Sequence, residues 1–305
     1  MPVAARSVRG RSVLAIAAAL VVVALAACAA RPAADWQPRL GGDAVVLLGE
    51  VHDNHELLRL RLAVLERAFA AGWRPAIVME QFDRERQGDI ERARRERPND
   101  AQHVIDLASS PRSGWEWNDY RPYVALALAH GVPLVAGNVS AADTARIVRG
   151  GYEAVFDAAT VAALGLDRTI DAALQAAQER EIDVGHCRAL PAEAWPRMAR
   201  AQYARDAYMA QALREHAAQG VVLVAGNGHV RRDLGVPRWL GLEPARVFAV
   251  GFLETDSATP ASAFDAVVRA PPAARDDPCK RFAQPSLRVS AARSHSPVAS
   301  SWRST

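Results

Sequence analysis

Two stretches of the chain repeat one small plan: an apolar run, a glycine, and a histidine three residues after it. Val45-Val46-Leu47-Leu48 leads into Gly49-Glu50-Val51-His52, and far downstream Val221-Val222-Leu223-Val224-Ala225 leads into Gly226-Asn227-Gly228-His229. Short β-branched runs bounded by glycine have the pattern of strands buried on both faces in a parallel sheet. In an open α/β sheet, ligands sit just outside the carboxyl ends of such strands. The two histidines are therefore expected to face one crevice.

Further strand-like runs extend this plan along the chain. They fall at 44–48, 75–79, 132–136, 221–225 and 246–251, separated by helical patterns at 54–71, 83–97, 118–130, 141–149 and 193–218. Such alternation predicts an α/β fold, a mainly parallel sheet flanked by helices, with the less patterned stretch 151–192 as a lid or helical insertion. Asp53 with Glu56, and Ser140 with Asp143, read as capping boxes at two helix starts. No Pro/Gly/Ser-rich linker divides the middle, so residues 43–284 are expected to form a single domain. A tether at 28–42 precedes it, and the Ser-, Ala- and Arg-rich tail 285–305 reads as disordered.

The amino terminus points to a compartment. Arg6, Arg9 and Arg11 precede an Ala/Val/Leu stretch from Val13 to Leu25, shorter than the ~20 residues that span a bilayer as a helix. It ends in Leu25-Ala26-Ala27-Cys28, which resembles the bacterial lipobox. Residues 1–27 are then a signal peptide, and an acylated Cys28 anchors the protein to a lipid membrane. Ala29 stands where the inner-membrane retention signal carries aspartate, so the expected location is the periplasmic face of the outer membrane. The whole chain holds 37 basic and 34 acidic residues; removal of those three arginines leaves 34 of each. That balance offers nothing to a nucleic-acid partner. Two further cysteines, Cys187 and Cys279, lie in polar, loop-like stretches. In an oxidising compartment they can close a disulfide, the alternative being two free thiols.

Each strand run ends in chemistry. Glu50 and His52 follow the first, Glu80 and Gln81 the second, Asn138 the third, and Asn227 and His229 the fourth. Carboxylates and imidazoles converging at one sheet edge suit either a divalent metal ion or a general acid–base pair. Glu50, His52, Glu80 and His229 are the candidate catalytic or metal-ligating residues. In the bland alternative, Glu50 and Glu80 pair with Arg205 or other arginines at a polar sheet end. Gln202, Arg205, Asp206 and Met209 share one helix face, and Asn138, Arg205, Asp206 and Asn227 are placed to orient the four. Other motifs fail. Arg59 occupies the second histidine's place in a zincin-like His55-Glu56-Leu57-Leu58, Arg231 replaces the last glycine of a dinucleotide fingerprint, and no G-x-S-x-G elbow occurs. Trp115, Trp117, Tyr120 and Tyr123 suit an aromatic pocket or ordinary core packing.

Four segments, in order, resemble the ChaN-like lipoproteins: Leu47–Asn54, Met79–Arg84, Ala201–Ala210, and Val224–Arg231 followed by Gly235-Val236-Pro237. The likeness runs from about residue 40 to 255. It implies a haem-binding protein of iron uptake, with dimers enclosing paired haems held by tyrosine, and a haem receptor or transporter as a possible partner. The candidate haem ligands here are Tyr120, Tyr123, Tyr152, Tyr203 and Tyr208. The same resemblance reaches the Tiki and TraB proteins and the erythromycin esterases. There the two G-x-x-H motifs and the intervening glutamate, here Gly49–His52, Gly226–His229 and Glu80, imply metal-dependent hydrolysis. Haem binding and hydrolysis both stay open at the level of sequence.

Overall fold

A strand that is apolar on both faces needs a strand on each edge and helices above and below. The computed structural model, which describes residues 39–110 and 114–283, supplies both. β1 (Val45–Leu48) and β4 (Val221–Val224) are buried along their whole length. With β2 (Ala76–Asp83), β3 (Leu134–Asn138), β5 (Val247–Glu254) and β6 (Ala266–Ala270) they form one sheet in the order β3-β2-β4-β1-β5-β6. Every pairing is parallel. Val45 lies opposite both Val221 and Val247, so the two motif-bearing strands are neighbours at the centre. The chain runs outward from β1 to β2 and β3, returns into the central slot as β4, then passes to β5 and β6. This reversal opens a crevice at the carboxyl ends of β1 and β4.

Helices follow the strands in chain order: α1 (His55–Ala70), α2 (Gln87–Glu96), α3 (Ala101–Ala108), α4 (Trp117–Ala129), α5 (Ala141–Gly150), α6 (Ala158–Leu164), α7 (Ala172–Gly185), α8 (Trp195–His216) and the single turn α9 (Asn227–Val230). α1 packs on α4 and over β5 and β6; α8 lies across β2, β3 and β4, with α5, α6 and α7 against it. Val45, Leu47, Val221, Leu223, Val247 and Ala249 share one core with Ala204, Ala207, Met209 and Leu213 of α8. Their strand neighbours point to the opposite face, as the two-residue period requires. All eight side chains of β1 and β4 are fully buried, each contributing ~1.5–3 kcal/mol. Whatever is attached to the ends of these strands is held by elements buried along their whole length.

Several boundaries differ from the sequence expectation. β2 continues through Glu80 and Gln81 to Asp83, so both polar residues lie within the strand. β3 starts at Leu134 because Pro133 has no N–H to give a ladder, although its carbonyl still accepts from Ile77 N at 2.9 Å. β6, a half-exposed edge strand, and α3, a helix of two turns, carry patterns too short to stand out. α1 is capped by Asn54, whose side chain accepts from Leu57 N, and not by Asp53, which faces Arg275. Ser140 caps α5 as expected, accepting from Asp143 N at 3.3 Å.

On the β3 edge, the Gln87 side chain donates to Leu134 O (3.2 Å) and accepts from Ala136 N (2.8 Å), standing in for a further strand. Elsewhere a disulfide joins Cys187 to Cys279, 92 residues apart. Among the described residues, no helix is long and apolar enough to cross a membrane. The signal peptide, Cys28, residues 28–38 of the tether and the tail 285–305 lie outside the described residues.

Candidate functional site

β2, β4 and β1 are adjacent, so their carboxyl ends bring Glu80, the Gly226–His229 turn and the Gly49–His52 loop together. All four candidate residues converge there, in two carboxylate–histidine pairs on either side of Gly226. A Cβ built on Gly226 would sit 3.0 Å from His52 Nε2 and 3.6 Å from Glu80 Oε2. Only glycine lets the two halves close to this distance.

The first pair is Glu50 and His52. Glu50 is fully buried; its Oε1 lies 2.5 Å from His52 Nδ1 and accepts from Tyr120 Oη at 2.7 Å and Gln81 Nε2 at 3.3 Å. Its other oxygen is ion-paired with the fully buried Arg61. Burial alone would push the Glu50 carboxyl up, but Arg61 and His52 bring it below its ordinary value. His52 shows the reverse balance: burial works against the imidazolium, and the Glu50 carboxylate outweighs it, raising the pKa. With Nδ1 engaged, Nε2 is the ring nitrogen left for chemistry, and Trp115 meets the ring edge-on at 4.8 Å.

The second pair is Glu80 and His229, with Asp206 of α8 behind the imidazole. His229 Nδ1 lies 2.6 Å from Asp206 Oδ1, and Nε2 faces Glu80 Oε1 at 3.5 Å. Burial opposes the imidazolium, yet Glu80 and Asp206 together push its pKa up to about 9. Glu80 Oε2 accepts from Gly226 N at 2.7 Å, and burial of this carboxylate is outweighed by His229, so its pKa is lowered. Arg205 spans the pair, donating from Nε to Asn138 Oδ1 at 2.9 Å while its NH2 lies 3.6 Å from Glu80. Arg205 and Asp206 are thus not paired with each other: each braces a different strand end. Asn227 plays a structural part, clamping Phe252 of β5 by accepting from its N–H (3.0 Å) and donating to its C=O (2.7 Å). A Cβ on Gly49 would come within 2.1 Å of that Asn227 oxygen, which explains the glycine there.

The geometry bears on two further groups of candidates. Among the described residues, no group of three or more His, Cys, Asp and Glu side chains is arranged to hold a metal ion. Most donor atoms of Glu50, His52, Glu80 and His229 are engaged by one another, by Arg61, Arg205 and Asp206, and by the Gly226 N–H, while His52 Nε2 is left open. The tyrosines also divide. Tyr120, Tyr123 and Tyr203 are 0–2 % exposed and already bonded, to Glu50, to Arg61 and Leu58 O, and to Gln175 respectively. A hydroxyl sealed in a core cannot reach a porphyrin iron. Tyr152 and Tyr208 are partly exposed.

Tyr208 lines a cleft of about 450 Å³ between α2 and α8 at the β3 edge, with Pro133, Leu134 and Val135 as apolar floor and Arg94 and His216 among its polar lining. This volume lies within the range of small-molecule and cofactor sites. The cleft offers the Tyr208 hydroxyl, an apolar floor and the Arg94 guanidinium, with Glu91 and Glu215 also among its lining. Arg61, which sequence reasoning missed, had a readable signal: it falls in register with Leu57, Leu58, Val64 and Leu65 on the buried stripe of α1. A charge in such a stripe needs a buried partner.

One solved structure shares this architecture. A ChaN structure from Campylobacter jejuni, described with cofacial haem binding, superposes with a TM-score of 0.55 at 17% identity, covering 71% of this chain and 84% of that one. A Bacillus cereus protein (13% identity, TM-score 0.37, 71% and 67% covered) and a succinoglycan biosynthesis protein (12%, 0.38, 74% and 70%) match more loosely. No curated protein matches the chain. The family described as haem-binding uptake, Tiki superfamily, ChaN matches residues 37–240, two thirds of the sequence and both G-x-x-H motifs, and the chain belongs to that family.

Proposed function

We propose that this protein binds haem as part of haem or iron uptake, anchored to a membrane through acylated Cys28 with its body in the periplasm. The observation that carries the proposal is the family match over residues 37–240. The Cys187–Cys279 disulfide supports an oxidising compartment. Tyr208, beside the cleft at the β3 edge, is the residue placed to ligate the iron, with Tyr152 the other accessible tyrosine. Bound haem would supply the ligand-accepting iron; Arg94 and His216 would orient its carboxylates. An absorbance titration of the purified protein with haemin tests the proposal. A saturable Soret shift at fixed stoichiometry is expected, and a response no larger than that of an unrelated protein overturns it.

One observation favours hydrolysis as a second reading. His52 presents a free Nε2 while Glu50 holds its Nδ1, the arrangement of a general base with its orienting carboxylate. In this reading His52 takes a proton from water, and Arg205 and protonated His229 stabilise developing negative charge. Loss of an ester- or amide-cleaving activity in His52→Ala with the fold intact would support it. Equal activity in that variant would remove it.

A further inference from the structure

The two G-x-x-H segments are joined by a second route that avoids the sheet. From the β1 side, Asp53, next to His52, is ion-paired with Arg275 Nε at 3.0 Å. Arg275 also grips Glu254 at the end of β5, where Ala273 N donates to Glu254 at 2.8 Å and Asn54 donates to Pro271 O at 2.9 Å. The chain following β6 is thereby pinned across the loop that carries His52. Four residues beyond Arg275, Cys279 is bonded to Cys187, just past the end of α7. Back along α7, Glu181 accepts from Arg231 at 2.8 Å, and Arg231 lies two residues beyond His229. The circuit from His52 to His229 is complete, and the disulfide is its one covalent cross-link.

The backbone at that cross-link is also distinctive. Cys187 and Arg188 have φ of 56° and 53°, the only non-glycine residues in the left-handed region among those described. Such conformations persist where the surroundings over-determine them, and functional strain collects there. Both cysteines are half-buried, so a small reductant can reach the bond.

We infer that the Cys187–Cys279 disulfide closes a ring of contacts holding the two G-x-x-H segments against each other, so that its reduction by a dithiol loosens the site. In the reduction, one thiolate of the dithiol attacks a cysteine sulfur, forming a mixed disulfide and expelling the other cysteine as thiolate. The second thiolate then displaces the first cysteine. Two electrons pass to the protein, the dithiol leaves as its disulfide, and its two protons remain on the Cys187 and Cys279 thiols. The inference is independent of what the site binds.

Hydrogen exchange read by mass spectrometry on the folded, full chain tests it, before and after treatment with dithiothreitol. Exchange is expected to rise several-fold both in 49–54 and in 229–233, with the amides of 76–79 in β2 unchanged. The Cys187→Ser, Cys279→Ser double variant should match the reduced protein and respond no further to reductant. A rise confined to 271–283, or no rise, overturns the inference. Should reduction unfold the chain throughout, Glu181→Gln opens the ring with the disulfide intact. Faster exchange at 229–233 then supports the ring, and unchanged exchange there overturns it.

Discussion

The crevice at the ends of β1 and β4 and the cleft at the β3 edge are opposite solutions to placing polar groups on one fold. In the crevice, Glu50, Arg61, Glu80, Asp206 and His229 are all withdrawn from water, and each charge has a partner. In the cleft, Glu91, Arg94, Gln211 and Glu215 remain in contact with solvent around an apolar floor. Buried charges must be paired or they unfold the protein, so the crevice has been spent largely on satisfying itself. The cleft has few such obligations and keeps room for a ligand. Motif density and open cleft volume therefore lie in different places.

The contrast is sharpest at Arg61. Arg61→Met leaves Glu50 buried without its counter-charge, and denaturant unfolding should show a loss of about 3–5 kcal/mol. Arg94→Ala on the cleft rim should fall within about 0.5 kcal/mol of wild type. Similar losses for the two would erase the distinction.

pH gives the next largest effect. His229 has its pKa raised in the folded protein to about 9 from an ordinary 6.5, by Glu80 and Asp206 acting against burial. A raised pKa means stability that is fully present below the unfolded value and lost as pH rises through the folded one. Unfolding free energy should therefore fall between about pH 6.5 and 9. Replacing His229 by Gln should flatten that fall. A variant with the wild-type slope would show that this imidazolium is not what the crevice stabilises.

Glycines separate the regions at a finer scale. Gly49→Ala drives a methyl into the Asn227 oxygen and opens the clamp on Phe252, a crowding cost of about 1–3 kcal/mol. Gly131→Ala, lining the cleft, meets nothing within 4 Å and is opposed only by its φ of +64°, a cost of about 1 kcal/mol. Chemical denaturation of both variants measures the difference. Equal values would mean that Asn227 moves aside freely.

How much of this was legible in the sequence follows the same division. The runs 44–48 and 221–225 announced the central strands because burial on both faces leaves an unbroken apolar signature, and the glycines after them marked where the strands end. Arg61 was legible in principle, from its register on α1. Asp53 read as the cap and Asn54 as the first helical residue, because either side chain can cap a helix and only Arg275, more than two hundred residues away, decides between them. β6 was not legible, since a short edge strand half in water carries no strong pattern. The Tyr208 cleft was hidden for a different reason: its lining, from α2, the β3 edge and α8, converges only in three dimensions.

The most direct test of the central claim compares haemin titrations of the wild type, Tyr208→Phe and His52→Ala. Haem binding at the cleft predicts the same saturable Soret shift in the wild type and His52→Ala, and its loss or marked weakening in Tyr208→Phe with stability unchanged. A shift that survives in Tyr208→Phe and disappears in His52→Ala would contradict it, placing haem in the crevice instead.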